Sequence, residues 1–127
     1  MVARPINAER APKVVTGYSQ AVESVNTTRR LYISGQIPVL PDDTVPTSFA
    51  EQAKAAWSNV LAQVEAADMK PSDLVKVTIF LSDRKYALEN REARLAALGS
   101  HAPALTVIIT GIFDAAWLLE IEAIAEA

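Results

Sequence analysis

Residues 74–81 read LVKVTIFL, and this stretch decides the fold class because its apolar side chains alternate. Successive side chains of a β-strand point to opposite faces, so every second residue shares a face. The apolar face comprises Val75, Val77, Ile79 and Leu81, and the other face comprises Lys76, Thr78 and Phe80. The pattern predicts a β-strand with one strongly apolar face, which packs against a second layer.

Helical patterns lie on both sides of this strand. From about Ser48 to Ala67, Ser48 and Glu51 have the spacing of a capping box at a helix start. Apolar residues then recur at helical intervals, at Phe49, Ala53, Ala56, Trp57, Val60, Leu61 and Val64. A second helix is expected to start near residues 83–86 and to run to about Leu98, because Gly99 can close a helix in a left-handed conformation.

Strand-like runs occupy both ends of the chain. Residues 14–25 and 31–39 are joined by the polar segment NTTRR, which predicts an antiparallel hairpin. Residues 104–110 and 117–125 predict two closing strands, with a turn around Asp114. The order ββαβαββ predicts an α+β sandwich of two layers, in which a mixed sheet carries both helices on one face.

The length predicts a single domain over residues 1–127, since a chain of this length allows one hydrophobic core and is too short for two. The 12 basic and 15 acidic residues give a net charge of -3, which offers no electrostatic reason to expect nucleic acid as a ligand. Without cysteine and with a single histidine, no metal site is expected. The polar amino terminus has no apolar signal segment, so a cytoplasmic protein without a membrane span is expected.

Two helices cover only one face of such a sheet. Several strands are apolar on both faces; in the last one, Leu118 and Ile124 oppose Trp117, Leu119 and Ile121. The second face is therefore expected to be buried against another subunit.

Sequence spacing alone indicates few candidate functional residues. Glu120 and Glu122 point to the same face of the last strand about 7 Å apart, where paired carboxylates could share acid and base work or simply be solvated. His101 has no nucleophile motif nearby and is expected at the surface. Gly17 and Gly35 lie in strand-like runs, where glycine marks a bulge, a close backbone approach or a packing device.

Four segments in register resemble the motifs of the RidA/YjgF family, the reactive intermediate deaminases. They are GYSQAV (17–22), LYISGQIPV (31–39), SDLVKVTIFLSD (72–83) and LLEIEAIAEA (118–127). The resemblance implies a chorismate-mutase-like fold, assembled as a homotrimer with ligand clefts between neighbouring subunits. It also implies a hydrolase that converts reactive enamines or imines to keto acids and ammonia without a cofactor. Some members are described as endoribonucleases or translation inhibitors.

The resemblance also implies roles for individual residues. In deaminating members a glutamate helps to place the attacking water, while a tyrosine and a serine line the cleft. The matching positions give Glu120 and Tyr18 as catalytic residues, and Ser34, Asn90, Leu105 and Thr106 as substrate-binding residues. The Gly-Pro that usually precedes the tyrosine reads Thr16-Gly17 in this chain.

Position 105 departs from the family pattern. A Pro-Ala-Arg-Ser motif, whose arginine grips the substrate carboxylate, reads Pro-Ala-Leu-Thr at residues 103–106. Leucine cannot form the paired charge-assisted hydrogen bonds of a guanidinium, so the sequence predicts weak activity on 2-imino acids. Arg91 or Arg94 replaces the lost group only if the second helix turns one of them toward the cleft.

Three functions stay open at this point. The first is an enzyme acting on an imine, an enamine or a related small molecule whose recognition does not use the missing arginine. The second is a trimeric ligand-binding or regulatory protein that does no chemistry. The third, an RNA-directed activity, is disfavoured by the acidic net charge.

Overall fold

A computed structural model describes residues 2–14 and 16–127, and the stretch of residues 74–81 forms one of the two inner strands of its main sheet. The strands are β1 (Val2–Ile6), β2 (Ala21–Val25), β3 (Arg30–Gln36), β4 (Leu74–Leu81), β5 (Ala104–Ile109) and β6 (Leu119–Glu126). The helices are α1 (Phe49–Ala66) and α2 (Ala87–Leu98), and short 3-10 turns at Pro71–Asp73 and Arg84–Tyr86 precede β4 and α2. No helix within the described ranges is long and apolar enough to cross a membrane.

Four strands form a mixed sheet in the order β3-β6-β4-β5. β4 pairs in parallel with β5 and antiparallel with β6, and β3 pairs antiparallel with β6. The α+β class, the mixed sheet and the two helices are as predicted, and each of these helices and closing strands begins and ends within a few residues of its predicted bounds.

The predicted hairpin between residues 14–25 and 31–39 is wrong. β2 pairs with β1 in a separate two-stranded sheet, and β3 pairs with β6 at the other end of the chain. Sequence reasoning missed β1 because it carries a proline, which a strand tolerates at an edge. The strand order therefore has one strand more than ββαβαββ. Val15, inside the predicted run, lies outside the described residues.

The core lies between the helices and one face of the four-stranded sheet. Alternate residues of β4 and β6 are buried there, including Val77, Ile79 and Ile121, which are 0% exposed. α1 contributes Ala53, Ala56, Trp57, Val60 and Val64. Ser48 caps α1 as predicted, since its side chain accepts a hydrogen bond from the Glu51 backbone N–H.

The opposite face of the sheet, called the open face below, carries no helix among the described elements. Tyr32 on β3 is 67% exposed there, and Ile108 on the edge strand β5 is 39% exposed. β5 also exposes Val107 and Ile109 on its helix-facing side. The sequence predicts that the open face is buried against another subunit, and this stays a prediction because the structure contains one chain.

Candidate functional site

A pocket of about 400 Å³ lies at the edge of the sheet, between residues 16–18, α2 and β5. β5 forms one wall because it is parallel to β4 and in register with it, with Leu105 opposite Val77. Paired residues in neighbouring strands point to the same face, so Leu105, Val107 and Ile109 point to the helix side of the sheet. β5 is an edge strand of the described sheet, with an isolated bridge from Ser19 to Ala104 on its outer side. Its side chains on the helix side line the pocket.

Three of the six predicted site residues line this pocket: Tyr18, Asn90 and Leu105. Asn90 is buried on α2, and Tyr18 and Leu105 are half-buried. The segment that carries Tyr18 is held against the start of β5, because the Ser19 N–H donates to the Pro103 carbonyl at 3.0 Å. These three residues, which the family resemblance named, are distant in sequence, and the fold brings them to one pocket.

Gly17 allows this segment to approach α2. Its φ is +70°, a conformation that favours glycine. A Cβ added at this position would lie 2.6 Å from Cδ2 of Leu95. Of the alternatives that the sequence left open for Gly17, the structure confirms a close backbone approach.

The other three predicted residues, Ser34, Thr106 and Glu120, lie on the open face. Glu120 is opposite Phe80 in the sheet and alternates with the buried residues of β6. Thr106 accepts a hydrogen bond from Nζ of Lys76 at 2.7 Å. Within one chain the sheet therefore separates these residues from Tyr18, Asn90 and Leu105.

The backbone of β3 makes room for the Glu120 carboxylate. A Cβ added at Gly35 would overlap Oε2 of Glu120 and would lie 2.8 Å from its Cδ. Glycine is required here because the carboxylate crosses directly over the strand. Ser34 lines a neighbouring groove together with Lys76 and Glu122. Glu120 and Glu122 share the open face, as their spacing predicted.

Sequence reasoning left the cationic lining of the pocket undecided. Arg84, Arg91 and Arg94 all line it, and Arg94 is only 4% exposed. Nη2 of Arg94 donates a long hydrogen bond of 3.4 Å to the Thr16 carbonyl. Burial lowers the pKa of the Arg94 guanidinium, the nearby charge of Arg91 lowers it further, and Tyr18 raises it.

Two buried polar atoms belong to residues of α2 that line the pocket. Within the described part of the chain, neither Nε of Arg94 nor Oδ1 of Asn90 has a hydrogen-bond partner. The buried residues of α2 are Asn90, Arg94 and Leu98, which recur every four residues on one side of the helix. That spacing is the sequence signal that could have placed Arg94 beside Asn90.

His101 has a structural role in this arrangement. Its Nε2 donates to the Leu74 carbonyl at 2.7 Å, and its backbone N–H donates to the Leu98 carbonyl at 3.1 Å. The residue is half-buried, where the sequence predicted a surface position, and it connects the end of α2 to the start of β4. No cluster of three potential metal ligands occurs in residues 2–14 and 16–127.

The fold and this arginine-lined pocket define a two-layer α+β domain with a site of small-molecule size at its sheet edge. The chain belongs to the Rid family, since residues 8–127 match the family model described as Endoribonuclease L-PSP. It is 36% identical over 128 residues to the 2-iminobutanoate/2-iminopropanoate deaminase of Escherichia coli, and the match covers 98% of each chain. The family predicted from the four motifs is confirmed.

Solved structures show the same fold. A Rid family protein of unknown function from Yersinia pestis superimposes with a TM-score of 0.86 over 100% of both chains, at 23% sequence identity. The TdcF protein of Escherichia coli, solved with bound serine, superimposes with a TM-score of 0.73 over 98% of both chains, at 30% identity. The predicted α+β sandwich is therefore confirmed.

Proposed function

We propose that this protein binds a small organic molecule in clefts between the subunits of a homotrimer and hydrolyses an enamine or imine there. The observation that supports it most is the separation of Glu120 and Ser34 from Tyr18, Asn90 and Leu105 by the sheet of one chain. A cleft that holds both groups needs a second copy of the chain. The exposed apolar side chains of β5 offer a surface for that contact.

The proposed chemistry adds water across a C=N bond. The water oxygen bonds to the carbon while the imine nitrogen takes up one proton, which gives a carbinolamine. The proton of its hydroxyl group is then transferred to the nitrogen, a C=O bond forms, and the C–N bond breaks to leave a carbonyl compound and ammonia. In this scheme the Glu120 carboxylate orients the water and accepts its proton, and the Tyr18 hydroxyl binds the substrate. The similarity to the 2-iminobutanoate/2-iminopropanoate deaminase of Escherichia coli supports a reaction of this class.

A second function, ligand binding without chemistry, is favoured by one specific observation. Leu105 offers the pocket an apolar side chain where deaminating members carry a guanidinium. A substrate that is held without orientation reacts slowly, because catalysis depends on its placement. The TdcF protein of Escherichia coli, which was solved with bound serine, is a relative that holds a small amino acid.

The test is an assay of imine hydrolysis. Imines generated in situ are offered to the wild-type protein, and ammonia and the carbonyl product are measured against buffer alone. Glu120→Gln is expected to lower the rate about 100-fold or more. Glu122→Gln is the matched control, since it removes the same charge from an exposed neighbour on the same face. A wild-type rate equal to that of buffer, with ligand binding retained, would support the non-catalytic function.

A further inference from the structure

Helix α2 buries a guanidinium, that of Arg94, which has no counter-ion among residues 2–14 and 16–127. The ion pairs of the described residues are Arg4–Glu23 and Arg30–Glu126, so Arg94 has no carboxylate partner among them. Its one hydrogen bond to another described residue, the carbonyl of Thr16, is long at 3.4 Å. A buried charge is normally paired or fully hydrogen-bonded, because burial removes its hydration.

The unpartnered acceptor beside it has the complementary chemistry. Asn90 is 3% exposed and lies four residues before Arg94, on the same side of the helix. Its Oδ1 is buried and accepts no hydrogen bond from any of the described residues. The pocket thus holds a free cationic donor and a free neutral acceptor close together. Unmet hydrogen-bonding capacity of this kind in a pocket points to a bound ligand.

We infer that Arg94 and Asn90 form a subsite for a small monocarboxylate. Arg94 grips the carboxylate, and Oδ1 of Asn90 accepts a hydrogen bond from an N–H or O–H group on the adjacent carbon. This inference deepens the proposed function. It rests on that proposal only in taking this pocket as part of the ligand cleft. The guanidinium comes from α2, whereas the family motif would have put it on β5 at position 105.

The other walls of the pocket limit the polarity and the size of the rest of the ligand. Leu105, Val107 and Ile109 form an apolar wall along β5, and Leu81 adds to it. A volume of about 400 Å³ accepts a carboxylate with a short aliphatic chain. Arg84 and Arg91 are exposed residues of the lining and attract anions toward the pocket. Inorganic phosphate is an anion like the carboxylate, but it has no aliphatic chain to pack against the apolar wall.

The experiment is calorimetric titration of the full-length protein with four probes. 2-Hydroxybutyrate offers a carboxylate and a donor, 2-ketobutyrate a carboxylate alone, butyramide no charge, and inorganic phosphate no apolar chain. The wild type is expected to bind 2-hydroxybutyrate more tightly than each of the other three. Absence of measurable binding of both carboxylates would overturn the inference.

Two arginine variants identify the group that grips the carboxylate. Arg94→Met is expected to weaken binding of both carboxylates about tenfold or more, because a charge-assisted hydrogen bond is lost. Arg91→Met removes the same charge from an exposed neighbour in the lining and is expected to weaken binding about threefold or less. The reverse ranking of the two variants would refute the assignment to Arg94.

Thermal unfolding separates a ligand-binding role from a structural one. Without ligand, Arg94→Met is expected to melt at or above the wild-type temperature, since it removes an unpaired buried charge. A large fall in melting temperature would indicate a structural role. Asn90→Asp supplies an internal carboxylate to Arg94, so it is expected to raise the melting temperature and to abolish carboxylate binding. Arg94-dependent binding without imine hydrolysis would uphold this subsite and contradict the proposed catalysis.

Discussion

Gln52 is the polar side chain on which the packing of α1 against two loops depends. It is 2% exposed, and its Nε2 donates to the carbonyls of Pro46 and Ala116 at 2.8 and 3.0 Å. Its Oε1 accepts from the Leu118 N–H at 2.8 Å. One side chain thus satisfies backbone groups from the loop before α1 and from the loop that leads into β6. We predict that Gln52→Met destabilises the protein strongly.

The expected size follows from these three contacts. A net contribution of about 1 kcal/mol for each hydrogen bond gives a loss of about 3 kcal/mol. Methionine has a similar volume, so no cavity adds to this loss. For a chain of this length, the loss corresponds to a fall of about 10 °C in melting temperature. The backbone N–H of Leu118 and the two carbonyls would be left without their partner.

Thermal and urea unfolding measure this effect at one fixed protein concentration, because assembly also stabilises the folded chain. Gln63→Met is the matched control, since Gln63 is exposed on the same helix, and its change is expected within about 0.5 kcal/mol. Gln52→Glu keeps the acceptor for Leu118 and loses both donors, so it is expected to be destabilised at neutral pH and less so in acid. Melting temperatures of Gln52→Met and Gln63→Met within about 2 °C of each other would refute the reasoning.

Three further variants test other parts of the structure. Gly35→Ala forces the Glu120 carboxylate off β3 and is expected to lower imine hydrolysis, while Gly111→Ala, where an added Cβ meets nothing within 4 Å, leaves the rate unchanged in the same assay. Ser48→Ala removes the cap of α1 and is expected to cost about 1 kcal/mol in urea unfolding, and an unchanged midpoint would contradict the capping role. Ile108→Lys places a charge on the exposed edge strand and is expected to reduce the mass in light scattering from trimer to monomer, with the circular dichroism spectrum retained; a trimer of normal mass would show that this surface is not the interface.

The layers of the fold could be predicted because they depend on local pattern. Alternation in β4 and helical spacing in α1 each identify one buried face, and one buried face is enough to define a layer. The partner of each strand is a non-local choice, since alternation marks a strand and leaves its neighbour open. The run from 31 to 39 was therefore recognised as a strand, and its pairing with β6 was not.

The candidate site was predictable to a similar extent. Motif resemblance identified Tyr18, Asn90 and Leu105, which lie around one pocket. It did not say which face of the sheet each residue occupies, although alternation in β5 requires Thr106 to point away from Leu105. The direction of Arg94 depends on the rotation of α2 about its axis, which is determined by packing against the rest of the chain.

Net charge was a poor guide to the electrostatics of the pocket. The chain carries -3 overall, yet three arginines and no acidic residue line this one pocket. A polyanion such as RNA is bound by a stripe of exposed cations that follows its backbone. Here Arg94 is buried, and all three guanidinium groups surround a volume of about 400 Å³, so they can act together on one small anion. Local positive charge within an acidic chain therefore favours a small carboxylate over a nucleic acid as the ligand of this pocket.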